Sequence, residues 1–339
     1  MMRAVVIDRH GEPELFRLAE LPIPRPRARE VVLRVHGSSL NPADLRARRP
    51  EQSARLLERS FPLVLGYDCS GVVVSVGAEV AEFEVGDELF GCPSLLGQGA
   101  HAEYVAIDAR MLARKPRSLT HAQAGVAPLV CLSAWQALFE RARIEPSQTL
   151  LVHGGAGGVG HVAIQLAHRH GCRVIATASR PASRALCSAL GASDVIDYRQ
   201  EDFVARTLAL TEQRGADVVL DLVGGDTLAR SASATRALGQ LVTLVPSSFP
   251  GATSAFMRGL TLHYTMMWTR LLHERDATSV GRTLARIATL LESGELALHV
   301  HATFGVRELA RAHRLLERGG FEGKLAIDVR ELWESAPPA

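Results

Sequence analysis

Apolar positions follow two different rhythms along this 339-residue chain, and the change between them falls near residue 121. Over residues 1–120, short β-branched runs are cut by Gly and Pro. Arg3–Asp8, Glu30–His36, Gly71–Val76 and Ala102–Ile107 read as strands, with Pro22, Pro24 and Pro26 in a connecting loop. Pro42–Arg48 reads as a helical turn and Glu51–Arg59 as a short helix. Short strands without helical alternation predict a β-barrel or rolled sheet. From 121 to about 260 strands alternate with helices. Thr149–His153, Arg173–Ala178, Asp194–Asp197, Val218–Leu222 and Leu241–Val245 are the strands; His161–His170, Ala182–Leu190, Phe203–Leu210 and Thr227–Leu238 are the helices between them. That alternation predicts a doubly wound parallel sheet with helices on both faces. The segments after 260 comprise a helix (Val280–Glu292), a strand (His299–Phe304), a helix (Glu308–Arg318) and a last strand (Lys324–Val329). They are too few for a core of their own and are expected to fold back onto the first domain. The expected α/β organisation is therefore 1–122, 123–265 and 266–339, the last returning to the first.

Composition narrows the class. With 47% hydrophobic and 22% charged residues, the chain can bury a sizeable core. A net charge of +2 argues against nucleic acid as the main partner. Five cysteines (Cys69, Cys92, Cys131, Cys172 and Cys187) form no C-x-x-C pair, a distribution that suits reduced thiols of a cytoplasmic protein. Asp8 interrupts the N-terminus before an apolar signal region could form, and no run approaches the ~20 apolar residues of a membrane span. A soluble cytoplasmic protein, with no membrane partner, is expected.

The second domain opens on Leu150-Leu151-Val152-His153-Gly154-Gly155-Ala156-Gly157-Gly158-Val159-Gly160, in which Gly155, Gly157 and Gly160 satisfy G-x-G-x-x-G between a strand and a helix. That spacing allows a tight turn, close approach to a pyrophosphate and close packing of helix on strand. The phosphates then meet unpaired N–H groups at a helix N-terminus. A dinucleotide site usually carries an acid about 20 residues on, for the ribose 2′-hydroxyl. Here no Asp or Glu occurs between Glu145 and Asp194. Ser179, Arg180, Ser183 and Arg184 instead offer hydroxyls and guanidiniums suited to a 2′-phosphate, so NADPH is expected, with NADH possible. The other reading is that the arginines solvate an exposed helix start.

These features, with Asn41-Pro42-Ala43-Asp44, Gly66-Tyr67-Asp68-Cys69-Ser70-Gly71-Val72-Val73, Val85-Gly86-Asp87-Glu88-Leu89-Phe90-Gly91 and Gly99-Ala100-His101-Ala102-Glu103-Tyr104-Val105, resemble a known family. Val195-Ile196-Asp197-Tyr198, Asp221-Leu222-Val223-Gly224-Gly225 and Gly323-Lys324-Leu325 continue the match in order, from about residue 3 to 329. The chain resembles the zinc-independent medium-chain dehydrogenase/reductases of the quinone oxidoreductase (zeta-crystallin-like) branch. The resemblance implies a GroES-like β-barrel catalytic domain with an inserted Rossmann domain and an active site in the cleft between them. It also implies a homodimer that pairs Leu260-Thr261-Leu262-His263-Tyr264 across a two-fold axis.

Zinc-dependent relatives carry Cys where this chain has Ser38 or Ser39, and Gly-His-Glu where it has Gly66-Tyr67-Asp68. Serine and tyrosine are not ordinary zinc ligands, so no metal is expected. Without a Lewis acid to stabilise an alkoxide, the acceptor should spread charge into its own carbonyl. A quinone or an α,β-unsaturated ketone is the first expectation and an enoyl thioester the alternative; a non-catalytic NADPH-binding structural or RNA-binding protein is the alternative of another class. The resemblance places Asn41 at the nicotinamide ribose, Ser133 near the nicotinamide, and Gly155, Gly157, Gly158 and Val159 at the pyrophosphate. It places Tyr198 near the adenine ribose phosphate, where the acid-free run puts Ser179, Arg180 and Arg184, with Asp221, Val223, Leu244 and Pro246 along the cofactor and Lys324 near the cleft. Tyr67 either donates to a substrate oxygen or packs as an ordinary aromatic. Asp44 either relays a proton or caps the short helix. Arg46, Arg48, Arg49, Arg55 and Arg59 either bind coenzyme-A phosphates or form a solvated face.

Overall fold

The β-branched runs of the first 120 residues pair as strands in the computed structural model, which describes residues 1–49, 60–273 and 277–333. The helix expected over Glu51–Arg59 lies outside the described residues. The strands there are β1 (Met2–Ile7), β2 (Arg17–Leu21), β3 (Glu30–Ser39), β4 (Leu63–Val64), β5 (Cys69–Val76), β6 (Glu88–Gly91), β7 (Tyr104–Asp108) and β8 (Leu112–Arg114). Six more follow: β9 (Thr149–Val152), β10 (Arg173–Thr177), β11 (Asp194–Ile196), β12 (Ala216–Asp221), β13 (Thr235–Thr243) and β14 (Thr261–Tyr264). The last two are β15 (Val300–Gly305) and β16 (Lys324–Asp328). The chain divides into two units, one of residues 1–129, 270–320 and 324–339, the other of 130–269 and 321–323.

In the first unit β3 is the central strand. It pairs antiparallel with β5, β7 and β16, and Val31, Val32, Leu33 and Val35 along it are all buried. The C-terminal strands thus complete the N-terminal sheet, in the order β15-β16-β3-β5-β6-β8 with β7 on β3. A second sheet runs β2-β1-β4. Strand β5 lies so close to β3 that a Cβ on Gly71 would sit 2.2 Å from the Arg34 carbonyl oxygen, which is why the pairing needs glycine there.

The second unit is one parallel sheet in the order β11-β10-β9-β12-β13-β14. Leu151, Ile175, Val219 and Leu241 stack in its core. The doubly wound pattern follows from near-continuous apolar strands that must be covered on both faces. One helix ends earlier than its periodicity suggests. The run expected over Thr227–Leu238 stops at Ala234, and Thr235 already pairs with Ala216 in β13. The next pair is Val218 with Gln240, so the intervening residues loop out, with Leu238 in the left-handed region at φ 61°. Apolar spacing at 234–238 mimics a further helical turn, but pairing with β12 overrides it.

The expectation that no run approaches a membrane span is corrected at His121–Arg141, which is long and apolar enough by length and composition, though most of it is buried in the fold. Its last turns, Gln136–Arg141, are wound as a π-helix.

Truncating the central strand tests the role given to β3. Leu33→Ala is expected to cost about 2–5 kcal/mol in urea unfolding, and a loss below about 1 kcal/mol would contradict a central packing role.

Candidate active site and cofactor site

The glycine turn sits at the C-terminal end of β9, where parallel α/β sheets bind ligands. Its shape comes from backbone bonds: Gly154 N donates to Thr177 Oγ1 (3.2 Å), Gly155 N to Thr177 O (3.1 Å), and Gly157 N to Gly154 O (2.9 Å). The three motif glycines have different reasons to be glycine. A Cβ on Gly155 would lie 2.9 Å from both Ala176 Cβ and Cys187 Sγ, and one on Gly160 would lie 2.2 Å from Gly154 O. Both are demanded by close packing, Gly155 against β10 and the helix Pro181–Ala189, and Gly160, at the start of the helix Gly160–Arg169, against the backbone of the turn itself. Gly157 meets only Gly154 O, at 3.2 Å, so packing does not require it. Its missing side chain keeps the outer face of the turn open, with Gly158 and Val159 half-buried beside it. That open backbone beside a helix start fits a pyrophosphate.

At the end of β10 the ribose-phosphate candidates do come together. Ser179 Oγ donates to Tyr198 Oη at 3.1 Å, and both are accessible. Arg184 Nη1 donates to Ser179 O and to Asp197 Oδ2, each at 2.5 Å. Arg180 Nη2 donates to Glu322 Oε1 at 2.6 Å, and the buried Ser183 Oγ donates to the same oxygen at 2.8 Å. The region without acids in sequence therefore contains two carboxylates in space. Neither is visible locally: Asp197 comes from the end of β11, and Glu322 stands 142 positions beyond Arg180.

Farther along this unit, Asp221 is buried at the end of β12 and shapes the next turn. Its carboxylate accepts from the Val223 and Gly224 amides and from Thr243 Oγ1 (3.0 Å). Burial raises its pKa, and the Gly224 amide and the other donors oppose this. Val223 and Pro246 are exposed, while Leu244 and Ser133 are half-buried.

The first unit holds a buried polar cluster at the end of β3 and the start of β5. At its centre is Asp68, with no solvent exposure. Asp68 Oδ2 accepts from Ser39 Oγ (2.5 Å) and Asn41 Nδ2 (2.8 Å), and Oδ1 accepts from Leu129 N (2.6 Å). Lys324 Nζ stands 3.5 Å from Asp68 Oδ2 and donates to Asn41 Oδ1 (2.5 Å) and Leu40 O (2.8 Å). Burial lowers the lysine pKa, against the pull of Asp68 and Asp44. The Asn41 amide is therefore fixed at both ends, donating to a carboxylate and accepting from an ammonium. Ser38 Oγ donates to Asp68 O at 2.7 Å.

Asp44 is also fully buried. Its two oxygens accept from the Asn41 and Gly66 amides, at 2.8 and 2.9 Å, closing the first turn of the helix Pro42–Arg48. Tyr67 is buried as well, 1% exposed. Among the arginines that follow, Arg48 is fully buried, which corrects both readings offered for it, a coenzyme-A phosphate contact and part of a solvated face. It donates to Gly11 O and Glu317 and faces His313 Nδ1. Arg49 also pairs with Glu317, at 2.9 Å, and Arg46 is half-buried. Arg55 and Arg59 lie outside the described residues. Asp68 and Ser39 work at the centre of the cluster without being singled out along the chain, where the signal is that Asp68 is the only charged residue between Phe61 and Val76.

Comparison with known proteins covers almost the whole chain. The model of the alcohol dehydrogenase GroES-like domain matches residues 27–117, and that described as zinc-binding dehydrogenase matches residues 190–327. The chain is 32% identical over 359 residues to the Bos taurus protein named NAD(P)H oxidoreductase RTN4IP1, mitochondrial, covering 97% of this chain and 89% of the relative. Among solved structures, the quinone oxidoreductase from Coxiella burnetii is 32% identical, with TM-score 0.85 over 97% of this chain and 99% of that one. The Escherichia coli quinone oxidoreductase complexed with NADPH is 25% identical, with TM-score 0.86 over 96% and 99%.

The buried acid Asp44 generates a pH dependence. Burial pushes its pKa up to about 7, only partly offset by the Asn41 and Gly66 amides and Lys324. A pKa raised by folding means that the native state holds this proton more tightly. The resulting stability is whole below about pH 4 and is lost as pH rises through about 7, a change on the order of 4 kcal/mol. Across pH 4 to 8 in urea unfolding, the stability of the wild-type protein minus that of Asp44→Asn should show this fall, the subtraction removing the opposite slope of His36, His101, His153 and His313, whose pKa values burial lowers. Equal slopes for the two proteins would contradict it.

Proposed function

The chain belongs to the quinone oxidoreductase-like branch of the medium-chain dehydrogenase/reductases, a premise from which we propose that it reduces a conjugated carbonyl acceptor, a quinone or an α,β-unsaturated ketone, with NADPH and without zinc. The nicotinamide cofactor, when bound, supplies the hydride. The Gly157–Val159 backbone would hold the pyrophosphate, and Ser179, Tyr198, Arg180 and Arg184 would meet the ribose 2′ position. NADPH is the preferred cofactor in this reading, with NADH accepted.

The observation that carries the metal-free part is the donor set around Asp68. An ammonium, an amide and a hydroxyl satisfy this carboxylate. Cys69 and Cys92 are near it, but their thiols are engaged within the fold, Cys69 Sγ donating to Gly91 O (3.5 Å) and Cys92 Sγ to Asp68 Oδ1 (3.8 Å). Lys324 itself supplies the positive charge inside the cluster. By the family resemblance Asn41, oriented by Asp68 and Lys324, would meet the nicotinamide ribose, and Asp44 holds the Asn41 loop. With no Lewis acid in this reading, charge developing on the acceptor must be carried by the acceptor's own conjugated carbonyl. The engagement of Arg48 and Arg49 with Glu317 counts against these arginines as a coenzyme-A phosphate site.

We also propose a homodimer through Thr261–Tyr264. Among the described residues β14 pairs with β13 alone, and Phe256, Met257, Tyr264 and Met266 beside it are exposed.

Steady-state NADPH oxidation by chelator-treated protein tests the reaction. Turnover of 1,4-quinones or enones is expected, with kcat/KM at least about tenfold above that for crotonyl-type thioesters. Stoichiometric zinc in active protein overturns the metal-free reading, a preference for thioesters overturns the acceptor, and binding without any turnover supports a structural protein. Light scattering should report a dimer; a monomer overturns the pairing through β14.

A further inference from the structure

The ribose-phosphate end of the second unit contains a carboxylate supplied by a distant part of the chain. The segment Phe321–Gly323 packs with this unit, and Gly323 N donates to Ala156 O at 2.8 Å, which fixes residue 322 beside the glycine turn. Glu322 is 8% exposed. One of its oxygens accepts from both Arg180 Nη2 (2.6 Å) and Ser183 Oγ (2.8 Å). Those are a guanidinium and a hydroxyl of the kind a 2′-phosphate requires. Arg184, the other guanidinium nearby, is bonded to Asp197 and to the Ser179 carbonyl.

We infer that Glu322 is a specificity-determining residue, which competes with the cofactor's 2′-phosphate for Arg180 and Ser183 and so narrows the advantage of NADPH over NADH. This rests on the reading of the glycine turn as an NAD(P)H site. The physics is one of differential affinity. A dianionic 2′-phosphate must displace Glu322 from Arg180 or share the guanidinium with it, and in either arrangement two anions are brought together. A ribose 2′-hydroxyl carries no charge and leaves the Arg180–Glu322 pair intact. The same carboxylate keeps Arg180 and Ser183 ordered at the end of β10 in the absence of phosphate. The pairing is also shielded: Ser183 and Glu322 are both largely buried, so solvent screens the repulsion less than it would on an open surface.

Calorimetric binding of NADPH, NADH, 2′,5′-ADP and 5′-AMP to the wild-type protein and to Glu322→Gln tests this without reference to turnover. The amide can still accept from Ser183 but no longer carries charge. NADPH and 2′,5′-ADP should tighten about tenfold, and NADH and 5′-AMP should change less than about twofold. Arg180→Ala, made in both backgrounds, should cost more NADPH affinity in Glu322→Gln than in the wild-type protein, a comparison that stands even if one variant is less stable. Unchanged or weakened NADPH binding in Glu322→Gln, or an equal cost of Arg180→Ala in the two backgrounds, overturns the role of Glu322. Failure of the wild-type protein to bind any of the four ligands overturns instead the reading of the site as an NAD(P)H site.

Discussion

The buried carboxylate of Asp68 is the constraint on which the first unit is arranged. A charge without solvent contact is tolerable only if every lone pair finds a donor. Here the donors come from four separate parts of the chain: Ser39 at the end of β3, Asn41 in the following loop, the Leu129 amide, and Lys324 at the start of β16. Meeting that demand brings the C-terminal strand against the N-terminal sheet and sets the orientation of the Asn41 amide. Asp44 then fixes the same loop from the other side through the Asn41 and Gly66 amides. One electrostatic requirement thus organises both the return of the chain and the candidate catalytic group.

The second unit is governed by steric rather than electrostatic demand. Gly155 and Gly160 let β10, a neighbouring helix and the turn's own backbone pack closely, whereas Gly157 leaves the outer backbone of the turn open. The distinction matters because a motif of three glycines is commonly treated as one functional signature. Two of these three would be required by packing even if nothing bound. Beside this turn, the end of β10 is held by charged pairs, Arg180 with Glu322 and Arg184 with Asp197. In the proposed function, electrostatics there bears on which cofactor is preferred, while backbone geometry bears on whether a dinucleotide fits at all.

Local pattern is enough wherever burial follows the period of one element. The helix Phe203–Leu210 has the same bounds in the sequence reading and in the fold, and its Asp202 cap accepts from the Val204 and Ala205 amides. The parallel sheet is legible because its strands are apolar on both faces. The helix expected to continue through Leu238 stops short because apolar spacing cannot report strand pairing, and Thr235 is claimed by Ala216 of β12. Arginines 48 and 49 read as a solvated or anion-binding stripe, yet Arg48 is buried against Glu317, a partner 269 residues away.

What the sequence determined by itself was therefore the α/β class, the glycine turn, the serine and tyrosine substitutions at the metal-ligand positions, and the family to which these belong. All are properties of neighbouring residues or of ordered motifs. The tertiary structure alone decided which charges meet. It placed Lys324 on Asp68 and Asn41, and it put Glu322 on Arg180 and Ser183, in a stretch that looks free of acids when read along the chain. Electrostatic interaction depends on distance through space, and chain folding sets that distance without regard to separation in sequence.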